Sequence, residues 1–333
     1  MNKLDLLEKF YEFSELVGKD PLLVQGAGGN TSIKIDKKLK IKASGKLLSR
    51  VFEENIFIDL DLNEIRLQYT NDNDLDFPVN AFNMLRPSIE TSFHALLPNK
   101  IIFHLHCINS ISWLVQKDYL EYFNQYLKDI RWISIPYCKP GISLGKKILA
   151  KLNGDKVDII FLENHGVIYL AENFSELKKN IRKVTKILKR PRLNHQEVNF
   201  DLLKVLSLGT EFILPENNDI HQLALTETFL QVASGGVLYP DHVVFLGSEL
   251  KTAKNKIEIL KIQESSYKGF IVIPKLGVLI HKNISNTASE MVTAFYEVIS
   301  RIPKNSEIKY IPDNDVDELI NWESEKFRLK QQN

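Results

Sequence analysis

The sequence predicts an α/β protein, because segments of helical and strand-like pattern alternate along most of its 333 residues. Apolar residues recur at helical spacing over residues 4–17, which predicts an N-terminal amphipathic helix. Residues 31–35 and 39–43 instead alternate apolar and polar side chains, as paired strands do. Most connections between such segments are short. Together these observations favour compact α/β domains.

The alternation continues through the first 190 residues. Residues 54–60 and 64–69 have the pattern of a second strand pair. Pro87 and Ser88 open a predicted helix, because serine is a favoured N-cap and apolar residues then recur at helical spacing up to Pro98. The remaining predicted elements of this part are strands at 101–107, 132–136, 157–162 and 167–170 and helices at 110–128, 144–152 and 174–188.

A domain boundary is predicted at residues 189–192, where the basic and proline-containing stretch KRPR interrupts the pattern. We therefore expect one domain over residues 1–190 and a C-terminal extension or small domain, of unknown role, over 191–333. In the second part, residues 237–247 and 269–281 have strand character, and 283–302 has the pattern of a capped helix.

Composition excludes several classes of partner. Lys and Arg number 43 against 42 Asp and Glu, so the chain lacks the basic field that non-specific nucleic-acid binding requires. No apolar run approaches the roughly 20 residues that cross a bilayer, so we expect no membrane association. The two cysteines, Cys107 and Cys138, are too few for a disulfide framework, which favours a cytoplasmic location.

Two histidines of the predicted strand at 101–107 are candidate metal ligands. His104 and His106 are two residues apart, and the period of a strand puts both on one face. His165, in a tight Asn-His-Gly turn between two apolar strands, is the best candidate for a third ligand. Taken by itself, the histidine pair is equally well explained by a structural role on a half-buried strand, and His165 alone is better explained as an incidental turn residue. Three histidines are what a catalytic zinc site needs if one position is to stay open.

Glu90 is the candidate acid–base group. It lies in the first turn of the predicted helix after Ser88, where the helix dipole also favours a carboxylate for structural reasons alone. Near a metal, a glutamate can act as a general base or acid. His94, one turn further along the same face, is better explained by a structural role.

Two glycine-containing turns can bind an anion. The segment GAGGNTS at 26–32 lets backbone N–H groups approach a phosphate or carboxylate closely, but it lacks the Gly-Lys-Ser/Thr of a P-loop and opens no helix. By itself it is equally well explained as a tight turn. The segment ASGK at 43–46 ends the next strand with another small turn, so the two can form one anion pocket.

Read in order, the motifs GAGGNTS, KASG, RPSIETSFH, HLH, PY and ENHG resemble the class II aldolase/adducin family. The resemblance is nearest to the rhamnulose-phosphate aldolase portion of its larger bacterial members. It covers residues 4–188 and continues weakly through YPDHVVFLG at 239–247 and NWESEKFR at 321–328. Six motifs in the same order are far more specific than any one of them.

The resemblance implies a three-layer α/β fold, with a central, mainly antiparallel sheet covered by helices, and a cyclic homotetramer with active sites between subunits. By position, His104, His106 and His165 match the ligands of a zinc or other divalent cation, and Glu90 matches the catalytic carboxylate. Tyr137 resembles a tyrosine that reaches a neighbouring subunit's site and serves the aldehyde part of the substrate. The positions that match the family's phosphate-binding residues are Gly29, Asn30, Thr31, Ser44, Gly45 and Ser88.

The implied activity is that of a metal-dependent aldolase, which cleaves or forms a carbon–carbon bond in a ketose or ketose phosphate through an enediolate. One departure concerns the phosphate, because Ile89 stands where related phosphate aldolases often have a second serine. Larger relatives also carry a dehydrogenase, but no Gly-x-Gly-x-x-Gly follows a predicted strand here, so hydride transfer is not expected.

Two alternatives remain at this point. The same three histidines also serve sugar-phosphate epimerases, dehydratases and decarboxylases in this family, and the motifs do not separate these from an aldolase. A non-catalytic interaction domain like the adducin head is the weaker alternative, because such members lack the metal histidines that this sequence has.

Overall fold

The computed structural model describes residues 2–70, 85–193 and 196–331. Within them the chain forms two compact units, which are described separately. Unit 1 comprises residues 1–114, 118–189 and 323–332, and unit 2 comprises residues 115–117 and 190–322, apart from those positions that are not described. The chain thus passes from unit 1 to unit 2 after Lys189 and returns to unit 1 for its last helix.

A mixed sheet, seven-stranded within the described residues, is the centre of unit 1, in the order β3-β2-β1-β4-β7-β6-β5. Neighbouring strands are antiparallel except β5 and β6, which are parallel. This confirms the predicted α/β class with a mainly antiparallel central sheet. The strands are β1 (Asn30–Ile35), β2 (Lys38–Lys42), β3 (Phe57–Asp61), β4 (Ile101–Leu105), β5 (Trp132–Ile135), β6 (Ile159–Leu162) and β7 (Gly166–Ala171).

Helices cover both faces of this sheet. The helices of unit 1 are α1 (Lys3–Gly18), α2 (Leu62–Thr70), α3 (Thr91–Leu96), α4 (Ile108–Leu114), α5 (Tyr119–Tyr126), α6 (Ile142–Leu152) and α7 (Phe174–Leu188), with a short 3₁₀ turn at Leu48–Arg50. Side chains of α1, α4, α5 and α7 pack with Phe103 on one face, whereas α3 and α6 pack with Ile102 on the other. Because successive residues of a strand point to opposite faces, β4 is buried on both sides.

Unit 2 contains a three-stranded antiparallel sheet, in the order β8-β10-β9, surrounded by helices. Its elements are α8 (Phe200–Ser207), β8 (Phe212–Ile213), a 3₁₀ turn (Asn218–His221), α9 (Gln222–Leu225), α10 (Glu227–Ser234), α11 (Pro240–Leu246), α12 (Lys256–Glu264), β9 (Phe270–Ile273), β10 (Gly277–His281), α13 (Asn286–Ile299) and α14 (Asp313–Asn321). The last helix, α15 (Glu323–Lys330), belongs to unit 1.

The hairpin of unit 2 has the same register as one hairpin of unit 1. Leu162 pairs with Gly166 across the β6–β7 turn, and Ile273 pairs with Gly277 across the β9–β10 turn. Each hairpin leads into a long helix, α7 or α13, and each turn contains one residue with positive φ, Asn164 or Lys275. The position of His165 is taken by Leu276 in unit 2. The second hairpin therefore keeps the backbone of the first without its histidine.

Three predictions of secondary structure were wrong. Residues 64–69 lie in helix α2, because the segment follows β3 directly and buries Leu62 and Ile65 beside β2. Residues 237–247 contain helix α11, which begins at Pro240, a residue whose fixed φ suits the first helical turn. The predicted helix at 110–128 is divided into α4 and α5.

The acid stability of unit 2 offers a test of its core. Burial lowers the pKa of His242 to about 3, and its Nδ1 accepts the N–H of Leu238 at 3.1 Å. The unfolded chain therefore binds a proton that the folded chain excludes as the pH falls from 6.5 toward 3. We expect His242 to make stability fall by up to about 1.4 kcal/mol for each pH unit in that window.

Urea unfolding at several pH values checks this, with His242→Gln as the comparison, because glutamine is neutral and its amide oxygen can accept the same N–H. The pH slope of the variant should be shallower than that of the wild type. Equal slopes for the two proteins would contradict the assignment.

Candidate metal centre and active site

Two glycines bring the site-bearing segments against the end of β4. A Cβ atom at Gly29 would lie 2.7 Å from the carbonyl oxygen of His104, and one at Gly166 would lie 2.6 Å from that of Leu105. Real Cβ atoms do not approach backbone this closely, so both positions require glycine. Gly29 also has a φ of +58°, which only glycine adopts without cost. The glycine loop before β1 and the turn before β7 can therefore both touch the strand that carries His104.

The structure brings the three predicted metal ligands together. One ligand nitrogen from each of His104, His106 and His165 lies within 4.8 Å of the others, and all three side chains are buried. The Nε2 atoms of His104 and His106 are 3.1 Å apart. Nδ1 of His104 lies 3.3 Å from the carbonyl oxygen of Val167, an acceptor that puts the ring proton on Nδ1 and leaves the Nε2 lone pair for an ion.

Glu90 faces this cluster from the N-cap position of α3. Its Oε2 lies 3.4 Å from Nε2 of His104, and its Oε1 lies 3.7 Å from Nε2 of His165. The side chain is buried, and Oε1 accepts no hydrogen bond from the described residues. Ionised carboxylates are rarely buried without partners or a cation. Three imidazoles and this carboxylate are the donor set that a divalent cation with an open position takes, so the residues present fit such an ion.

Asn30 and Ser88 complete the group around Glu90. Nδ2 of Asn30 donates to Oε2 of Glu90 at 2.7 Å and to Oγ of Ser88 at 3.1 Å. Ser88 also accepts the backbone N–H of Glu90 at 3.3 Å. Both N–H bonds of the Asn30 side chain are thus committed within the protein. Of the predicted phosphate-binding residues, Asn30 and Ser88 lie beside the Glu90 carboxyl group.

The second predicted anion-binding turn, at 43–46, lies beside the segment that carries Ser88. The backbone N–H of Ser44 donates to the carbonyl of Arg86 at 2.8 Å, which fixes the turn next to the Ser88 segment. Gly45 has a φ of +76° and lies against the end of the C-terminal helix, because a Cβ atom there would lie 2.7 Å from Cβ of Gln331, the residue that follows α15. The predicted anion-binding turn thus has a neighbour, the end of α15, that the sequence pattern does not predict.

Thr31 is separated from this group. Its hydroxyl is 2.9 Å from that of Ser14 in α1, on the opposite face of β1 from Asn30 and Ser32. The alternation of side chains along a strand has this effect. Thr31 can face the pocket only through its backbone.

Tyr137 lies two residues beyond β5, the outermost strand on that side of the sheet. Because β5 and β6 are parallel, with Ile135 paired to Leu162, Tyr137 leaves the sheet at the same end as the turn that carries His165. The tyrosine is partly buried.

Two further residues have a clear place beside the site, although the sequence did not predict their contacts. Lys42 is 2% exposed, and its Nζ donates to the carbonyls of Ala27 at 2.9 Å and Lys46 at 2.7 Å, which ties the two glycine-containing turns together. His94, predicted to be structural, contacts Asn30 and Ser32. The strand period puts Asn30 and Ser32 on one face of β1, which could have predicted that a single side chain such as His94 contacts both. Nothing in the pattern marks Lys42 as buried.

Comparison with known proteins bears on the identity of this centre. The family model described as "Class II Aldolase and Adducin N-terminal domain" matches residues 9–190, which is more than half of the chain. The chain belongs to the class II aldolase/adducin family. The matched region contains every one of the predicted site residues.

One curated protein aligns with half of the chain. The protein described as "Uncharacterized oxidoreductase YuxG" from Bacillus subtilis (strain 168) is 29% identical over 184 residues, which are 50% of this chain and 26% of that protein. The chain therefore aligns with about a quarter of this relative's length.

Solved structures of class II aldolase domains resemble part of the chain. The N-terminal class II aldolase domain of a conserved Thermoplasma acidophilum protein has a TM-score of 0.47 at 22% identity, over 56% of this chain and 93% of that one. A sugar-phosphate aldolase from Thermotoga maritima has a TM-score of 0.44 at 16% identity, over 62% of this chain and 97% of that one.

In the part of the chain that the structure describes, no helix is long and apolar enough to cross a membrane.

Removal of a single histidine tests the metal centre. We expect the purified protein, loaded with zinc and dialysed, to retain about one equivalent of zinc. His106→Ala removes one ligand, so its zinc affinity should fall by more than the roughly 10–100-fold typical of losing an outer-shell partner. Isothermal titration with zinc gives both numbers.

His281→Gln is the matched control, because His281 is a buried histidine of β10 in unit 2. Its zinc stoichiometry and affinity should equal those of the wild type. Retention of full affinity in His106→Ala would show that the ion binds elsewhere.

Proposed function

We propose that this protein is a metal-dependent aldolase that cleaves or forms a carbon–carbon bond in a ketose or ketose phosphate. His104, His106 and His165 hold one divalent cation, zinc in the first instance, and Glu90 carries the proton. The observation that supports this most is the buried Glu90 carboxylate, whose two oxygens lie 3.4 and 3.7 Å from nitrogens of two of the histidines. A base so close to a cation site is the arrangement that proton transfer beside a polarised carbonyl requires.

When bound, the cation supplies Lewis acidity, which draws electron density from a carbonyl oxygen and makes the neighbouring C–H and C–C bonds easier to break. Glu90 then has a defined task. In the cleavage direction the C4 hydroxyl gives up its proton on the Tyr137 side as the aldehyde forms, and the electron pair of the C3–C4 bond passes to C3. The carboxyl group of Glu90 then delivers a proton to C3, which gives the shorter ketone. In the synthetic direction Oε1 removes that proton. Burial of Glu90 keeps bulk water from competing for this proton.

The remaining residues bind and orient the substrate. Gly29, Ser44, Gly45 and Ser88 offer backbone N–H groups and hydroxyls to its anionic or hydroxylated end, and Asn30 orients Glu90 and Ser88. Tyr137 is proposed to serve the aldehyde half by protonating or orienting its oxygen. Thr31 contributes only backbone to this end, and Ile89 supplies no hydroxyl. The proposed substrate class therefore includes free ketoses as well as ketose phosphates.

The proposal extends to the assembly and its location. A homotetramer would allow Tyr137, which leaves the outermost strand of the sheet, to reach the site of a neighbouring subunit. The near-neutral charge balance and the low cysteine count, two in 333 residues, suit a cytoplasmic protein that acts on a small molecule rather than on nucleic acid.

Replacement of the carboxylate tests the role of Glu90. Glu90→Gln keeps the shape of the side chain and its contact with Asn30 Nδ2, but it cannot accept a proton. Turnover should therefore fall by about 10²–10⁴-fold, while the zinc content stays that of the wild type. Steady-state kinetics and metal analysis on the same sample measure both, and a variant with normal aldol cleavage would overturn the assignment.

A substrate screen tests the reaction class. The zinc-loaded protein is incubated with ketoses and ketose phosphates, and released aldehyde is measured together with the full product composition. An aldolase yields a shorter ketone or hydroxy acid and a free aldehyde in equal amounts. Products of unchanged carbon number would instead indicate an epimerase or dehydratase, and carbon dioxide would indicate a decarboxylase.

A further inference from the structure

A buried chain of hydrogen bonds runs from Ser32 through His94 and Asn30 to Glu90. Oγ of Ser32 lies 2.7 Å from Nδ1 of His94, and Nε2 of His94 lies 2.5 Å from Oδ1 of Asn30. Asn30 then donates to Oε2 of Glu90 at 2.7 Å. All four side chains are buried. These hydrogen bonds connect Glu90 and His94, at the N-cap and within α3, to Asn30 and Ser32 of strand β1.

The chemistry of the groups fixes the direction of every bond in this chain. A carboxylate only accepts hydrogen bonds, so the NH₂ end of the Asn30 amide must face Glu90 and its oxygen must face His94. Nε2 of His94 must then carry the ring proton. Burial holds the pKa of His94 well below its ordinary value, so the ring is neutral and Nδ1 accepts the Ser32 hydroxyl proton. Ser32 thus donates to His94, which donates to Asn30, and Asn30 donates to Glu90.

This one-way order has a consequence for the carboxylate. If the amide of Asn30 turned over, its oxygen would face the Glu90 carboxylate and its NH₂ group would face the N–H of His94, so two favourable contacts would become two repulsive ones. His94 is itself held in place by stacking on Phe93, with ring centroids 4.6 Å apart. The histidine therefore selects one orientation of the amide.

We propose that His94 is a positioning residue, which acts through the Asn30 amide to hold Oε2 of Glu90 and thereby leaves Oε1 directed at the histidine cluster. This inference rests on the proposed function, because it gives Glu90 the fixed geometry that an acid–base group needs. His94 itself contacts neither the substrate nor the cation. Its loss should lower kcat by about 10–100-fold, as the loss of an outer-shell partner typically does, with KM unchanged.

The first test needs no substrate. Solvent exchange of the Asn30 side-chain NH₂ protons is measured by ¹⁵N–¹H NMR on the zinc-loaded protein, in the wild type and in two variants. His94→Phe keeps an aromatic ring but has no donor for Oδ1, so exchange should accelerate at least tenfold. His94→Gln can place an amide N–H near the position of Nε2 and should restore protection.

The second test uses whichever substrate the screen identifies. His94→Phe should have the reduced kcat given above, with the KM and zinc content of the wild type, and His94→Gln should recover most of the loss. Ser14→Ala is the matched control, because it removes a buried hydroxyl bonded to β1 on the opposite face. It should leave kcat unchanged.

The two tests separate the two claims. If the screen identifies no aldolase substrate but Asn30 loses protection only in His94→Phe, the aldolase assignment fails and the positioning role stands. The positioning role is overturned if His94→Phe leaves the Asn30 protons protected, if its kcat equals that of the wild type, or if His94→Gln is as impaired as His94→Phe.

Discussion

The pairing of β4 with β1 on one side and β7 on the other is the constraint on which the site depends. Asn30 pairs with His104 across the first contact, and His104 pairs with Ile168 across the second. These registers bring the glycine loop and the turn of His165 to the same end of β4. Without glycine at positions 29 and 166, a Cβ atom would strike the backbone of β4 and the registers would shift. A shift of one residue would turn His104 to the opposite face of the sheet.

The same pairing sets the electrostatic character of the site. Three imidazoles and one carboxylate are gathered in a buried place, where each polar group left without a partner is costly. Hydrogen bonds from fixed groups stabilise some of these side chains, such as the bond between His104 and the Val167 carbonyl and the bond from the Asn30 amide to Glu90. A divalent cation bound by the three histidines would accept lone pairs of their ring nitrogens. Stability and proposed catalysis thus depend on the same contacts.

The sequence predicts this fold and site to different extents. Strand period alone places His104 and His106 on one face, and the turn chemistry of ENHG places His165 at a strand end, so their convergence follows once β4 and β7 are neighbours. The pairing of β4 with β7 joins segments that are far apart in the sequence, so local pattern does not predict it. It was expected only because the ordered motifs resemble a known family. Local pattern failed at residues 64–69, where alternating apolar residues form helix α2, because tertiary packing against β2 decides between two locally allowed structures.

Contacts between distant segments were the least predictable part. Three such contacts join segments that local pattern does not connect. Lys42 bonds to Ala27, Gly45 lies against the end of α15, and His94 contacts Asn30. The side chain of Thr31 shows the converse, because a position that matches a motif can still face the wrong side of its strand. The matching register of the two hairpins was likewise not evident from sequence, since Leu276 replaces the histidine that makes the first turn recognisable.

A crystal structure of the zinc-loaded protein, with data collected at the absorption edge of the metal, would show which residues bind the ion. We expect one strong anomalous peak within bonding distance of ring nitrogens of His104, His106 and His165, with the Glu90 carboxylate beside it. A peak elsewhere in the chain, or a peak that lacks any one of the three histidines as a ligand, would contradict the proposed metal centre.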